Sequence, residues 1–195
     1  MDIGSNDGSF LQCFASVGWR VLGIEPAYTP WAEAIRNQVA THQAFFDATF
    51  VHRRLATSEV KPHIITANRV WANVHEPDDF AIAVNNSLAS GGYFIIETGY
   101  LIPIIENMLI ETIYPEHIAY DLLGPLLPFF KKHQLEVIDA AETSAKGGSL
   151  RVVLQHDRQS PMTRSVEDIL VKEEAWLRTE PWDRFNKKLT AERRR

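Results

Sequence analysis

The chain has 195 residues, 45% apolar and 23% charged, the balance of one folded domain with or without a short appendage. Its 20 Lys and Arg against 25 Asp and Glu leave a net charge of −5, which excludes nucleic-acid binding by bulk electrostatics. No run of about 18 apolar residues predicts a membrane span, MDIGSNDGSF at the start has no secretory-signal pattern, and the single cysteine, Cys13, provides neither an intramolecular disulfide nor a thiolate metal cluster. The expectation is a cytoplasmic protein with no metal centre.

In chain order, Met1 to Ile3 supply only a stub of a first strand, where a central strand normally has about five or six residues. The first strand therefore reads as clipped, as in a fragment or a chain with a misassigned start. Phe10, Leu11, Phe14 and Val17 mark an apolar helix. Trp19 to Glu25 is a short β-type run ending at Pro26, and Thr29 to Val39 is helical, with Pro30 in its first turn. Thr41 to Phe46 is another short run, and Asp47 is placed to cap a helix through about Thr57. His63 to Ala67 reads as a strand buried on both faces, Asp78 to Leu88 as a helix, and Tyr93 to Glu97 as a strand entered through Gly91-Gly92. A long apolar helix is predicted over Tyr120 to His133. Gln134 to Asp139 and Ser149 to Gln155 follow as strands too close for a helical crossover, so they should pair antiparallel. Ser165 to Arg178 and Trp182 to Leu189 are tail helices broken at Pro181. Strands alternating with helices predict an α/β, Rossmann-like domain over residues 1–160. Its sheet is mostly parallel with an antiparallel last strand and helices on both faces, and a helical tail follows over 161–195. The tail from Lys187 to Arg195 holds five basic residues and one acid, the pattern of a frayed, solvated helix end, with a nucleic-acid-binding arm as the less favoured alternative.

The segment Asp2-Ile-Gly4-Ser-Asn6-Asp7-Gly8 lies between the strand stub and the first helix. Glu25 ends the second strand 17 residues after Gly8, where a carboxylate can accept two ribose hydroxyls. The loop does not fit the dinucleotide fingerprint G-x-G-x-x-G, because Asn6 takes the second glycine position and the last glycine comes one residue early. D-x-G-x-x-x-G is instead similar to the first motif of class I S-adenosylmethionine (SAM) methyltransferases; the bland reading is two glycines shaping a turn.

Three further stretches, Ala67-Asn68-Arg-Val-Trp-Ala-Asn73-Val, Ile96-Glu97-Thr-Gly-Tyr100 and Thr112-Ile-Tyr114-Pro-Glu116-His117-Ile-Ala-Tyr120, precede Lys146-Gly147-Gly148-Ser149-Leu150-Arg151. In this order, over about residues 2–160, they resemble the C-methyltransferases of nucleotide-linked deoxysugars, a class I SAM-dependent family. Members of that family have an N-terminal zinc-binding domain, a central SAM domain and a C-terminal domain, and the resemblance covers only the centre. It implies that Gly4, Asn6 and Gly8 wrap the methionine part of SAM, that Glu25 holds the ribose, and that Asn68 lies beside the cofactor's amino-acid end. Phe46 either flanks the adenine or is a core phenylalanine.

Methylating carbon next to a ketone needs a base near neutrality and donors for the enolate oxygen. The resemblance makes His117 the base, Tyr114 and Tyr120 donors or sugar contacts, and Glu116 an orienting group or alternative base. The family commonly has histidine where Asn73, Pro115 and Lys146 stand here; Lys146 remains able to bind an anionic substrate. The partner expected is a small molecule, possibly a nucleotide sugar, with oligomeric state open. The alternatives are O- or N-methylation of another small molecule and a SAM-domain fragment without catalysis.

Overall fold

The computed structural model describes residues 1–55, 60–115, 117–156 and 159–192. Seven strands form one sheet in the order β3-β2-β1-β4-β5-β7-β6. They are β1 (Asp2–Ile3), β2 (Gly23–Ile24), β3 (Thr41–His42), β4 (Ile64–Asn68), β5 (Tyr93–Gly99), β6 (Leu135–Thr143) and β7 (Ser149–His156). The pairs from β3 through β5 are all parallel, and β7 runs antiparallel to both β5 and β6. Helices pack around this sheet: α1 (Ser9–Ala15), α2 (Tyr28–Arg36), α3 (Ala48–Phe50), α4 (Pro77–Ser87), α5 (Leu101–Glu106), α6 (Leu123–Lys132), α7 (Arg164–Leu177) and α8 (Pro181–Glu192). The expected topology class is the observed one.

Several boundaries moved for physical reasons. The runs at Trp19–Glu25 and Thr41–Phe46 contract to two-residue strands. Asp47 caps α3 by accepting from the Phe50 N–H at 2.6 Å, but α3 has only three residues and passes into a π-helical turn over Val51–Leu55. Thr57, where that helix was expected to end, lies outside the described residues. The helix predicted from Tyr120 begins only at Leu123, because Asp121 is drawn into the sheet edge. Its Oδ1 accepts from Trp71 Nε1 at 3.2 Å, its Oδ2 from Thr98 Oγ1 at 2.8 Å, and its backbone bridges Tyr100. Helix α5 and a 3-10 turn at Ile110–Thr112 were not anticipated, because Pro103 interrupts a helical pattern.

The main core is an aromatic stack under β4–β7. Phe94 of β5 contacts Phe80 of α4 and Phe130 of α6, and Trp71 lies 5.0 Å from the Phe130 ring and 5.9 Å from the Phe80 ring. Burial of several such rings, at roughly 25 cal/mol per Å², dominates the stability of this half. Leu11, Ala34 and Val39 form a smaller, separate cluster joining α1 to α2. The tail helices are docked. Helix α7 packs on β6 and α6, and its buried Glu173 accepts from the N–H groups of Leu123 at 2.6 Å and Gly124 at 2.9 Å, capping α6. Helix α8 rests on α5, where Glu106 accepts from both Trp176 and Arg184.

Candidate active site

The parallel strands release their loops at one edge of the sheet, where ligands bind in open α/β folds. The register that pairs Asp2 with Gly23 and Thr66 brings the ends of β1, β2 and β4 together there. Gly4 turns the chain with φ +68°, and a Cβ at this position would stand 2.4 Å from Val70 Cγ2, so both conformation and space require glycine. Asn6 follows at φ +52° and is exposed. Its N–H donates to Glu25 Oε2 at 3.0 Å, while Ala27 N–H donates to Oε1 at 2.8 Å. Gly8 is the residue before α1, and its N–H donates to Ser5 O.

These contacts bear on the fit of SAM. Glu25 is 8% exposed, and each carboxylate oxygen accepts one backbone N–H, so each keeps lone-pair capacity for a hydroxyl. A carboxylate fixed at the end of β2 against a left-handed loop suits a vicinal diol, and the residues present fit the cofactor's ribose. Asn68, exposed at the end of β4, is at the same edge as Gly4. Phe46 is buried. Its ring is in the core, 5.3 Å from Phe80 and 6.4 Å from Phe50, while its neighbour Phe45 is 76% exposed. This packing is that of a core phenylalanine, and the alternation of exposed Phe45 and buried Phe46 continues beyond the two residues that pair as β3.

Next along the edge, beyond β4 and β5, is a cavity of about 350 Å³ lined by Arg69, Glu111, Tyr114, His117, Tyr120 and Lys146. The loop carrying the aromatic residues is hung from the turn after β4, since Ala72 O accepts from the N–H groups of Ile118 and Ala119. His117 Nδ1 lies 3.0 Å from Thr112 O, which can only accept, so Nδ1 carries the proton and Nε2 is an acceptor. Tyr114 OH is 2.6 Å from that Nε2, with the two rings 4.0 Å apart. Tyr120 OH donates to Thr112 O at 3.4 Å, and its phenol is pushed up in pKa chiefly by burial. Three of the expected catalytic residues thus meet. Glu116 lies outside the described residues.

Two cations join this group, Lys146, which the sequence offered as an anion-binding residue, and Arg69, which was not assigned from sequence. Arg69 adopts φ +60° directly after Asn68 and reaches across the sheet end, its Nη2 donating to Ser149 Oγ at 2.6 Å and Ala145 O at 3.1 Å. That grip holds the Ala145–Gly147 turn, which presents Lys146 at φ +48°. Gly148 closes the turn at φ +135°, and a Cβ there would meet Pro103 Cγ at 2.4 Å. The glycine pair in the motif was the available signal for a special turn; the reach of Arg69 to residues 76 and 80 positions away had none. Asn73 and His75 are exposed. Among the described residues no cluster of three or more His, Cys, Asp or Glu could hold a metal ion, and no helix is long and apolar enough to cross a membrane.

The strand order, the single reversed strand β7 and the loop–carboxylate pair at the sheet edge define a class I methyltransferase fold. The methyltransferase-domain family matches residues 1–140, and the chain belongs to that family, a SAM-dependent class of enzymes. It is 32% identical over 152 residues to the C-methyltransferase NovU of Streptomyces niveus, an alignment covering 78% of this chain and 36% of NovU. The chain therefore spans little more than a third of that relative's length. Among solved structures it is similar to the putative methyltransferase held by the Trm112 activator of Haloferax volcanii, with TM-score 0.64, 13% identity and coverage of 80% and 81% of the two chains. It is also similar to magnesium protoporphyrin IX methyltransferase of Synechocystis with bound SAH, with TM-score 0.60, 12% identity and coverage of 80% and 73%.

Proposed function

We propose that the chain transfers a methyl group to a carbon of a nucleotide-linked ketodeoxysugar. The observation that carries this reading is the Tyr114–His117 pair in a cavity that also holds Arg69 and Lys146. The 32% identity to a protein named as a C-methyltransferase supports the choice of carbon. SAM, when bound, supplies an electrophilic methyl on a sulfonium. Gly4, Asn6 and Gly8 form its loop, Glu25 accepts its ribose hydroxyls, Asn68 borders its amino-acid end, and exposed Phe45 rather than Phe46 offers a ring to the adenine.

The protein's task is then to remove a proton and hold the charge that results. His117 is the base. Thr112 O fixes its tautomer, and Nε2 draws the Tyr114 hydroxyl proton while the phenol oxygen takes the proton from the carbon beside the ketone. The proton thus passes to the imidazole and Tyr114 ends neutral. Tyr120 contacts the sugar ring, and Arg69 and Lys146 stabilise the enolate oxygen and the substrate's phosphates, as preorganised cations do where charge develops. Residues 1–160 act as the SAM domain and 161–195 as its tail, whose helices α7 and α8 are docked on it.

The test is deuterium exchange from solvent into the α-carbon of a nucleoside-diphosphate 4-ketodeoxysugar, without SAM. The wild type should exchange, and His117→Ala should not, while both bind S-adenosylhomocysteine equally. Unchanged exchange in His117→Ala overturns the assignment of the base.

A further inference from the structure

The loop that carries Tyr114 and His117 is shaped by contacts within itself. Tyr114 OH meets His117 Nε2, and Thr112 O meets both His117 Nδ1 and Tyr120 OH. These bonds join residues of one short segment, so they fix its form and not its place on the sheet. Placement comes from bonds of longer range. Ala72 O accepts from the N–H groups of Ile118 at 2.9 Å and Ala119 at 3.2 Å. One residue after Tyr120, the side chain of Asp121 turns inward and is 8% exposed.

Asp121 is an acid followed by the apolar pair Leu122-Leu123. Its two carboxylate oxygens are divided between two elements. Oδ1 accepts from Trp71, 50 residues back, and Oδ2 from Thr98, 23 residues back. Trp71 precedes Ala72 and Thr98 precedes Gly99, and Ala72 and Gly99 both line the cavity that contains the Tyr114–His117 pair. The Trp71 ring is held in turn against Phe80 and Phe130, and Thr98 is fully buried in β5. The carboxylate therefore ties the end of the loop to the ring stack and to the sheet at once. Both of its donors are neutral, and desolvation offsets much of what such bonds contribute to stability. What they supply is direction, because two bonds from different elements fix one side chain at two points.

We propose that Asp121 is a positioning residue for the Tyr114–His117 pair, its divided carboxylate setting where the loop stands over the end of the sheet. The inference rests on the function proposed for that pair. A misplacement of about 1 Å at reacting groups costs about 100-fold in rate, so a tether outside the cavity has a large effect on turnover.

Three variants of the full chain separate direction from charge and from bulk. Asp121→Asn removes the charge and keeps both links, its oxygen accepting from Trp71 and its amide N–H donating to Thr98 Oγ1. Asp121→Leu keeps the bulk and removes both links. Thr98→Val keeps the shape of the strand residue and removes one link, and it carries the test by itself where Asp121→Leu does not fold. The first readout is the nitrogen spectrum of histidine-labelled protein without substrate, with His117 assigned by His117→Gln. The second is the deuterium exchange into the ketosugar described above.

Wild type and Asp121→Asn should both show a neutral His117 protonated at Nδ1. In Asp121→Leu and Thr98→Val that signature should give way to averaged tautomers. The rate constant for exchange should fall about 10- to 100-fold in Asp121→Leu and about 3- to 10-fold in Thr98→Val, with KM and S-adenosylhomocysteine binding changed less than about twofold. Asp121→Asn should stay within about threefold of wild type, since its links are kept. The wild-type tautomer and exchange rate in Thr98→Val and in folded Asp121→Leu overturn the proposal. So does an Asp121→Asn as impaired as Asp121→Leu, which assigns the effect to charge. A wild type without exchange overturns the function proposed for the pair, and the tautomer then decides the tether alone.

Discussion

Strands β1, β2 and β3 have two residues each, whereas β5, β6 and β7 have seven, nine and eight. The long-strand half is ordered by register and by the ring stack of Trp71, Phe80, Phe94 and Phe130. The short-strand half has few ladder bonds and relies on individual polar contacts, such as Asn6 and Ala27 N–H on Glu25 and Thr66 Oγ1 on Asp2 at 2.5 Å. A core built from rings tolerates the loss of any one polar bond, but a half built from single contacts carries its function and its stability on the same atoms. Substitutions in the long half should therefore separate chemistry from folding, and those in the short half should couple cofactor binding to folding.

The largest effect is expected at the proposed catalytic pair. His117→Ala should lower kcat by about two to four orders of magnitude, the usual range for a general base, with thermal unfolding unchanged because the ring is half-exposed on a loop. Tyr114→Phe should lose a similar factor. A parallel drop in melting temperature would show that the pair is structural and break the separation.

Glu173→Ala should cost about 3 kcal/mol of folding stability, since two backbone N–H groups at the start of α6 lose a buried charged acceptor. Chemical denaturation measures it, and binding of S-adenosylhomocysteine should survive at temperatures where the variant is folded. Gly4→Ala should cost nearly as much, about 2–3 kcal/mol, from the left-handed backbone and the collision with Val70. Val70→Ala in the same chain should restore part of this, since only the Val70 Cβ at 3.8 Å would remain in contact. Full restoration would mean that the backbone conformation costs nothing.

The smallest effect is a pH dependence. Burial raises Asp2 to about 6, the Thr66 hydrogen bond and the nearby N-terminus opposing the shift and Glu25 adding to it. The folded protein therefore holds a proton that the unfolded chain releases near 3.8, and the contribution of this group is greatest below about pH 4. It is lost as pH rises through 6. Asp2→Asn should flatten the stability profile between pH 4 and 6 and raise stability at pH 7 by about 1–2 kcal/mol. An unchanged profile would place the titration elsewhere.

Sequence pattern reveals the elements that depend on local chemistry. Helix α4 begins at Pro77 with two acids in its first turn, β4 is a β-branched run, and the short link between β6 and β7 forces their antiparallel pairing. The loop–acid pair is legible because both parts of the candidate cofactor site are adjacent in sequence to their strands. What is not legible depends on distant partners. Helix α6 starts late because Asp121 is held by Trp71, 50 residues away, and Thr98. Arg69 joins the cavity through a left-handed conformation and contacts near residue 145 that no local pattern encodes.

The central claim is that the short-strand half holds the cofactor through Glu25. Calorimetric titration of the full chain with S-adenosylhomocysteine, beside Glu25→Ala and Glu25→Gln checked for folding by circular dichroism, tests it most directly. The account predicts micromolar binding by the wild type, weakened about 10- to 100-fold in Glu25→Ala, as expected for loss of a charged hydrogen-bond acceptor, and less in Glu25→Gln. A folded wild type that does not bind, or a folded Glu25→Ala that binds equally well, would contradict it.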